Sequence, residues 1–400
     1  MECRNCNREI IKFFSLGRMP LGNGFFKKEE ISFEKKYDLS VGFCPNCYLV
    51  QLIKTVPPET LYRKMFYFPS AFESIIKECK ERAYYLTKRL NLNSKSIVLD
   101  IGSSDGYQLQ FFRELGMKIL GIDPAWNMAE TANRKSIPTI TEFFDYKLAK
   151  KLKKDRKFEA DLILSMDLLN HIIEIKHFLR GVKLLLKPKG TAFFKFFMQR
   201  FYMQGELDII THEHVFYFSL ISLQNIFRNV DLEMYDAEIK KGALTVFVSH
   251  HGAFPVSENV RRFIDQELEG RFDKFETYQK FDENVMKTKK GLVDLLKKLK
   301  NQGKRIATYS APEKGNILLS YCGIGKNYLD FIVDKSELKQ GLYTPGAHML
   351  IYPPEKIYQE KPDYLLILSW NIADEIRKRL KDFHDAGGKF IIPIPKIKII

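Results

Sequence analysis

The segment Ser96-Ile97-Val98-Leu99-Asp100-Ile101-Gly102-Ser103-Ser104-Asp105-Gly106 decides the fold. Apolar, β-branched residues run into a turn carrying Gly102 and Gly106, and a helical pattern begins at Tyr107. A strand feeding a glycine turn and then a helix lets backbone approach a bound nucleoside. The dinucleotide pattern G-x-G-x-x-G is absent, and acidic-x-Gly-x-x-x-Gly stands in its place. The next strand, Lys118 to Ile122, leads to Asp123, about 20 residues past the turn, where an acid can accept both ribose hydroxyls. Asp123-Pro124 also suits a helix start. Before the turn, a helix is expected over Ala71 to Leu90. After it, strands are expected at Ala160–Met166 and at Gly190–Phe197, the latter following a helix that closes on Leu184 to Gly190. Strands alternating with helices imply an α/β doubly wound sheet.

The chain has 400 residues, enough for two or three domains. Apolar residues make up 45% and charged residues 28%, which excludes global disorder and a membrane bundle. No apolar run has the length of a membrane span, and Met1 to Cys6 lacks a signal-peptide pattern, so a cytoplasmic location is expected. The net charge of +15 invites a nucleic-acid reading. The densest basic runs, Lys147–Lys157 and Lys287–Lys304, read instead as solvated helix faces, and no nucleic-acid or membrane partner is expected.

Four of the six cysteines form two knuckles, Cys3-x-x-Cys6 and Cys44-x-x-Cys47. Each knuckle presents two thiolates from one turn, and two knuckles close a tetrahedral Cys₄ site with no open position. One structural Zn²⁺ is therefore expected, in a small β-rich module. Cys79 and Cys322 stand singly in apolar surroundings and read as core.

The glycine turn resembles the first motif of class I S-adenosylmethionine (SAM) methyltransferases, with Ser104 in place of that motif's middle glycine. The resemblance implies SAM as cofactor. It would be held by Asp100, Gly102, Ser104, Asp105, Gly106, Asp123, Pro124, Phe144 and Met166.

Thr211-His212-Glu213-His214-Val215-Phe216-Tyr217 is the most chemically suggestive segment. On a strand, His212 and His214 would share a face, as metal ligands can. Yet H-E-x-x-H is absent and no third ligand is evident. A structural role for both histidines is a further reading. A His beside a Glu also suits a general base.

Together with Met19-Pro20-Leu21-Gly22-Asn23, Cys44 to Gln51, Gly121 to Ala125, Lys314-Gly315-Asn316, Asp334-Lys335, Thr344-Pro345-Gly346 and Trp370-Asn371, this segment resembles the sugar C-methyltransferases of deoxysugar biosynthesis. That resemblance implies a zinc module, a central SAM domain and a second Rossmann-like domain. It implies methylation at carbon, at C3 of a nucleotide-linked 4-keto-6-deoxy sugar, with SAM-dependent O-methylation as the alternative. His214 would be the base, Glu213 would orient the site, and His171 and Tyr67 would contact the sugar. Thr211, Ser310, Lys314, Asn316 and Asp334 would bind substrate. The chain departs from the family pattern at Thr211, where a Tyr is usual, at Ser104, at Lys241–Thr245, at Phe194–Gln199, where an acid is usual, and at Ser310-Ala311-Pro312.

Further strands are expected at Lys304–Tyr309, Tyr328–Asp334, Tyr364–Trp370 and Lys389–Pro395, with a lysine-rich helix over Arg271–Asn301 joining the two sheets. The expected division is 1–66 (zinc module), 67–270 (SAM domain) and 271–400 (substrate-nucleotide domain), in a monomer or homodimer.

Overall fold

The computed structural model describes residues 1–63, 68–197, 210–240 and 243–400. Its N-terminal sheet is antiparallel: β1 (Ile11–Pro20), β2 (Lys36–Phe43) and β3 (Val50–Leu52). A fourth strand, β9 (Phe216–Tyr217), comes from the middle of the chain and pairs with β3, Val50 opposite Tyr217 and Gln51 opposite Phe216.

The two cysteine knuckles are built alike. The Asn7 amide bonds the Cys3 carbonyl at 2.9 Å, and the Tyr48 amide bonds the Cys44 carbonyl at 2.8 Å. Asn7 and Tyr48 take left-handed φ values of 58° and 61°, which curl each turn so that both thiols face one point. All four Sγ atoms lie within 4.8 Å of one another. Thiolates about 2.3 Å from a tetrahedral Zn²⁺ stand roughly 3.8 Å apart, so the donor set fits that ion.

The central sheet has the order β10-β11-β8-β7-β4-β5-β6. Strands β4 (Ile97–Ile101), β5 (Lys118–Ile122), β6 (Thr139–Ile140), β7 (Ala160–Met166) and β8 (Leu186–Phe197) run parallel. Strand β11 (Ala243–His250) pairs antiparallel with β8 and with β10 (Leu232–Lys240). The chain crosses between β5 and β7 on either side of β4, and ligands of open α/β sheets bind at such a switch point. Strand β8 starts four residues before the expected Gly190, because Leu186 already pairs with Ala160, with a register shift before Leu162. The expected helix over Ala71–Leu90 spans Glu73–Arg89.

The C-terminal sheet has the order β14-β13-β12-β15-β16-β17. It comprises β12 (Ile306–Tyr309), β13 (Ile332–Val333), β14 (Ile351–Tyr352), β15 (Tyr364–Ile367), β16 (Lys389–Ile392) and β17 (Lys398–Ile399). All neighbours are parallel except β16 and β17. The strand expected from Tyr328 shrinks to two residues, because the Tyr328 and Leu329 amides are captured by the Gly325 carbonyl in a turn.

The N-terminal module lies between the two larger sheets. Cys3, Ile10, Cys44, Cys47 and Leu49 belong to the core of the central sheet. Phe14, Leu39, Val41 and Phe43 belong instead to the core of the C-terminal sheet. The helix Glu276–Asn301 covers this second face, with Tyr278 on Phe43 (4.8 Å between ring centres) and Phe281 on Phe14 (4.9 Å). The lysine-rich segment is thus a packing surface for the module as well as a connector. Cys79 and Cys322 are core residues, 1% and 7% exposed. Among the described residues no helix is long and apolar enough to cross a membrane.

Because metal binding and module folding are linked, Cys44→Ser should lower zinc content from one per chain to near zero. The same variant should also lower the melting temperature by several degrees. Elemental analysis and a thermal scan check both, and full zinc retention would refute the four-thiolate site.

Candidate active site

A cavity of about 490 Å³ opens at the switch point, within the size range of small-molecule sites. One end is formed by Gly102, Ser104, Asp123, Pro124, Phe144 and Met166, and the other by Tyr62, His171 and Glu213. A wider, shallower groove of about 860 Å³ crosses Lys153, Arg180 and Arg228, and contains neither the glycine turn nor the Thr211–His214 segment.

The turn is shaped by backbone handedness. Gly102 has φ 81° and Ser104 φ 50°, a region that disfavours side chains. Ser104 thus takes the conformation a glycine would adopt there. Its amide donates to Asp123 Oδ2 at 2.8 Å, while Asp123 Oδ1 accepts the Ala125 amide at 2.8 Å. These bonds fix the carboxylate at the end of β5 and leave further lone pairs for a ligand. Burial raises the Asp123 pKa, and the two amides counter it. Phe144 stacks edge-on against Phe178 at 5.3 Å, giving an apolar wall.

Three of the nine expected cofactor residues do not line the cavity. Gly106 (φ 80°) is a packing position, where a Cβ would come within 2.6 Å of Ile137 Cδ1. Asp105 accepts a hydrogen bond from Ser70 and lies 3.6 Å from Lys135 Nζ, fastening the turn to the segment before the helix Glu73–Arg89. Asp100 is fully buried under the turn, and its pKa is pushed up to about 7, by burial first and by the nearby Asp123 second. Conversely, the residue-by-residue reading missed Asp167. It lines the cavity at the end of β7 in a left-handed conformation (φ 51°), its pKa raised by burial. Asp167 Oδ1, Asp100 Oδ1, Asp105 Oδ1 and Ser103 Oγ are buried without a hydrogen-bond partner among the described residues. Of these four residues only Asp167 lines the cavity, where its unpaired oxygen matches a ligand with polar groups of its own, as SAM has.

The opposite end is positioned by two backbone bonds from one residue. The Val215 amide donates to the Asn170 carbonyl at 2.8 Å, and the Val215 carbonyl accepts the Leu52 amide at 2.8 Å. His214 is thereby set against His171, with ring centres 4.9 Å apart. The Tyr62 hydroxyl donates to the Glu213 carbonyl oxygen at 2.9 Å and lies 3.1 Å from His171 Nδ1. Burial, then the neighbouring His214, pushes the His171 pKa down to about 3, so this ring stays neutral at physiological pH. The Glu213 carboxylate accepts from Asn23 Nδ2 at 2.9 Å, and burial raises its pKa.

His212 and His214 do not share a face. Thr211 to Glu213 form a bend rather than a strand, and His212 Nε2 lies 3.3 Å from the Tyr37 carbonyl oxygen. The two rings therefore diverge, as a shared metal site would not allow. Tyr67 lies outside the described residues, as do Lys241 and Gly242. Thr211 is buried.

All four of the expected substrate residues in the C-terminal domain touch other protein groups. Asn316 donates to the Gly22 carbonyl at 2.8 Å, and Asp334 accepts the Ala311 amide at 2.7 Å and the Ser336 amide at 2.8 Å. Ser310 Oγ lies 2.8 Å from Ser369 Oγ, and Lys314 Nζ sits 4.4 Å above the Trp370 ring.

Comparison with known proteins agrees with this architecture. Residues 3–62 match a zinc binding domain family, residues 74–237 a methyltransferase domain family, and residues 238–395 the family described as C-methyltransferase C-terminal domain. The C-methyltransferase NovU of Streptomyces niveus is 32% identical over 406 aligned positions, covering 100% of this chain and 96% of that protein. The ubiquinone biosynthesis O-methyltransferase of Rhodopseudomonas palustris (strain HaA2) is 29% identical over 26% of this chain and 43% of its own length. Among solved structures, a S-adenosylmethionine-dependent methyltransferase from Clostridium acetobutylicum ATCC 824 is 14% identical. It covers 44% of this chain and 92% of that chain, with a TM-score of 0.37.

Loss of a charged hydrogen-bond acceptor is worth roughly 1.5–3 kcal/mol, about 10- to 150-fold in affinity. Asp123→Ala is therefore expected to weaken SAM binding by that factor in calorimetry. Unchanged affinity would remove Asp123 from the ribose site.

Proposed function

This chain belongs to the C-methyltransferase family and is a SAM-dependent methyltransferase; on that premise we propose that it methylates the carbon beside the ketone of a nucleotide-linked 4-keto-6-deoxy sugar, at C3. The observation that carries the reading is that His171 and Glu213 line the cavity while the His214 ring stands 4.9 Å from that of His171. A C–H bond next to a carbonyl is acidic enough for a positioned imidazole to remove its proton. His214 is the base in this reading. His171, held neutral by burial, does not compete as a cation. The Tyr62 hydroxyl keeps the His171 ring and the Glu213 backbone in place. Bound SAM supplies an electrophilic methyl group; Asp123, Ser104, Phe144 and Met166 would hold it. What remains for the chain's residues is to bring the nucleophilic carbon into line, exclude water and stabilise negative charge on the carbonyl oxygen.

Ser310 and Lys314 are assigned here to the nucleotide end of the substrate. Lys314 supplies the positive charge that a diphosphate needs. Asn316 and Asp334 are assigned to the same site: the Asn316 amide nitrogen and the Asp334 carboxylate hold neighbouring loops, and Asn316 Oδ1 is buried without a partner among the described residues. Part of the +15 net charge is accounted for by such an anionic substrate. We place the division between the zinc module and the methyltransferase domain near residue 66 and the next near residue 270, with β9 shared between the first two.

The test is incubation of enzyme and SAM in D₂O with a panel of 4-keto-6-deoxy nucleotide sugars, followed by mass spectrometry. A methyl gained with loss of one carbon-bound hydrogen is expected. Methylation without such loss would favour the O-methyl alternative. His214→Ala should lower turnover by about 10²–10⁴-fold, the usual contribution of a general base, with SAM affinity little changed. A fully active variant would exclude His214 as the base.

A further inference from the structure

The turn after β12 repeats the hydrogen bonding of the turn after β4. In the central sheet β4 stands between β7 and β5, and in the C-terminal sheet β12 stands between β15 and β13. The Gly102 amide donates to the Ile122 carbonyl at 2.8 Å, and the Ser310 amide to the Val333 carbonyl at 2.7 Å. Each of these carbonyls immediately precedes an acid, Asp123 or Asp334. The backbone amides of the two acids reach on to the third strand, to the Ile140 and Tyr352 carbonyls, both at 3.0 Å. The carboxylates repeat as well. Asp334 Oδ2 accepts the Ala311 amide of the turn at 2.7 Å, and Oδ1 accepts the Ser336 amide, two residues on, at 2.8 Å. Asp123 makes the same pair of bonds to Ser104 and Ala125. Both turns carry a serine in the left-handed region, Ser104 (φ 50°) and Ser310 (φ 73°). Asp334 and Asp123 are both buried.

The charges around the two cradles are opposite. The central cavity is lined by Glu59, Asp123, Glu142, Asp167, Glu174 and Glu213, and by no Lys or Arg among the described residues. At the C-terminal turn, Lys339 Nζ lies 3.7 Å from Asp334 Oδ2 and 3.0 Å from the Ala311 carbonyl oxygen. Lys335 follows Asp334 directly, and Lys314 lies in the first turn of the helix Glu313–Cys322 that leaves the cradle. Each carboxylate oxygen has two lone-pair sites, and Ser336 uses one of those on Asp334 Oδ1. Asn316 Oδ1, in the same helix, is a further buried acceptor without a partner among the described residues. One acid geometry thus stands in acidic surroundings in one domain and in basic surroundings in the other. SAM carries a positive sulfonium, whereas a nucleoside diphosphate is an anion.

We propose that the C-terminal cradle binds the nucleoside of an anionic nucleotide, Asp334 accepting its furanose hydroxyls and Lys339 facing its first phosphate. This rests on the nucleotide-linked substrate of the reading above, and adds which residue recognises the furanose. A carboxylate fixed by two amides at a strand end is already oriented to accept hydroxyl protons. The neighbouring ammonium and the helix N-terminus then meet the phosphate charge. Lys335 Nζ lies 5.9 Å from the Phe72 ring, at the start of the helix Glu73–Arg89. The edge of the cradle therefore borders the domain that holds the methyl donor.

The experiment is calorimetric titration of the full-length, zinc-loaded enzyme with UDP, CDP, GDP and dTDP. The 2′,3′-dideoxy counterpart of the tightest binder follows. Removing hydroxyls that bond a carboxylate should weaken binding by about 10- to 150-fold. Lys339→Met should weaken parent and counterpart alike, by about tenfold, with SAM affinity unchanged. Asp334→Asn should bring the parent down to the level of the dideoxy nucleotide. A dideoxy nucleotide that wild type binds as tightly as its parent overturns the proposal. So does absence of binding by all four diphosphates. Both results come from wild type and stand even where the variants do not fold. Hydroxyl-dependent binding without turnover of any ketone would support this site and refute the keto-sugar reading. Turnover of a ketone with hydroxyl-independent nucleotide binding would do the reverse.

Discussion

The pairing of β9 with β3 is the contact on which the rest of the molecule depends. Two residues from the middle of the chain complete a sheet begun near its N-terminus. The residue before them, Val215, is bonded on one side to Leu52 and on the other to Asn170. A peptide held from both directions cannot rotate, and the adjoining His214 and Glu213 inherit its fixed orientation. The zinc-fitted knuckles matter through this contact. Three strands of 10, 8 and 3 residues make a small sheet. Such a module needs a staple to offer a rigid edge.

The module also solves a packing problem. Its two faces feed different hydrophobic cores, the cysteine side into the central sheet and the phenylalanine side into the C-terminal sheet. Two Rossmann-like domains joined only by a linker would be free to move relative to one another. Here a third body fills the angle between them. The loop from Pro20 to Asn23 then reaches the point where all three meet, and carries the contacts to Glu213, Glu313 and Asn316.

Burial sets the chemistry at that point. Enclosure drives His171 towards the neutral ring and the acids towards the protonated form, because each loses the water that would stabilise its charge. A neutral imidazole stands beside an acid of raised pKa, next to an apolar-walled cavity. The same groups on an open surface would be an imidazole and a carboxylate of ordinary strength.

Much of this was legible in the chain. The knuckle spacing gives a four-thiolate site because four donors exhaust a tetrahedron. The run from Ser96 to Gly106 gives the strand and turn because apolar periodicity and glycine act locally, and Asp123 follows from its distance along the next strand. The assignments that drifted were those depending on side-chain direction. Gly106 and Asp105 belong to the motif, yet one packs on Ile137 and the other ties down Ser70. His212 and His214 look equivalent in sequence, but a bend sends them apart. Asn316 and Asp334 read as ligand groups, and the structure shows that each also bonds a neighbouring loop. Tyr62 and Asp167 carry no local signal, since one meets His171 more than 60 residues away and the other is placed by a fold-imposed cavity. Sequence determined the elements and the metal donors, because those rest on short-range periodicity and donor count, and the resemblance of the glycine turn implied the cofactor. Tertiary structure alone decided which acids and histidines face one another, because that depends on three separate layers closing on a single loop.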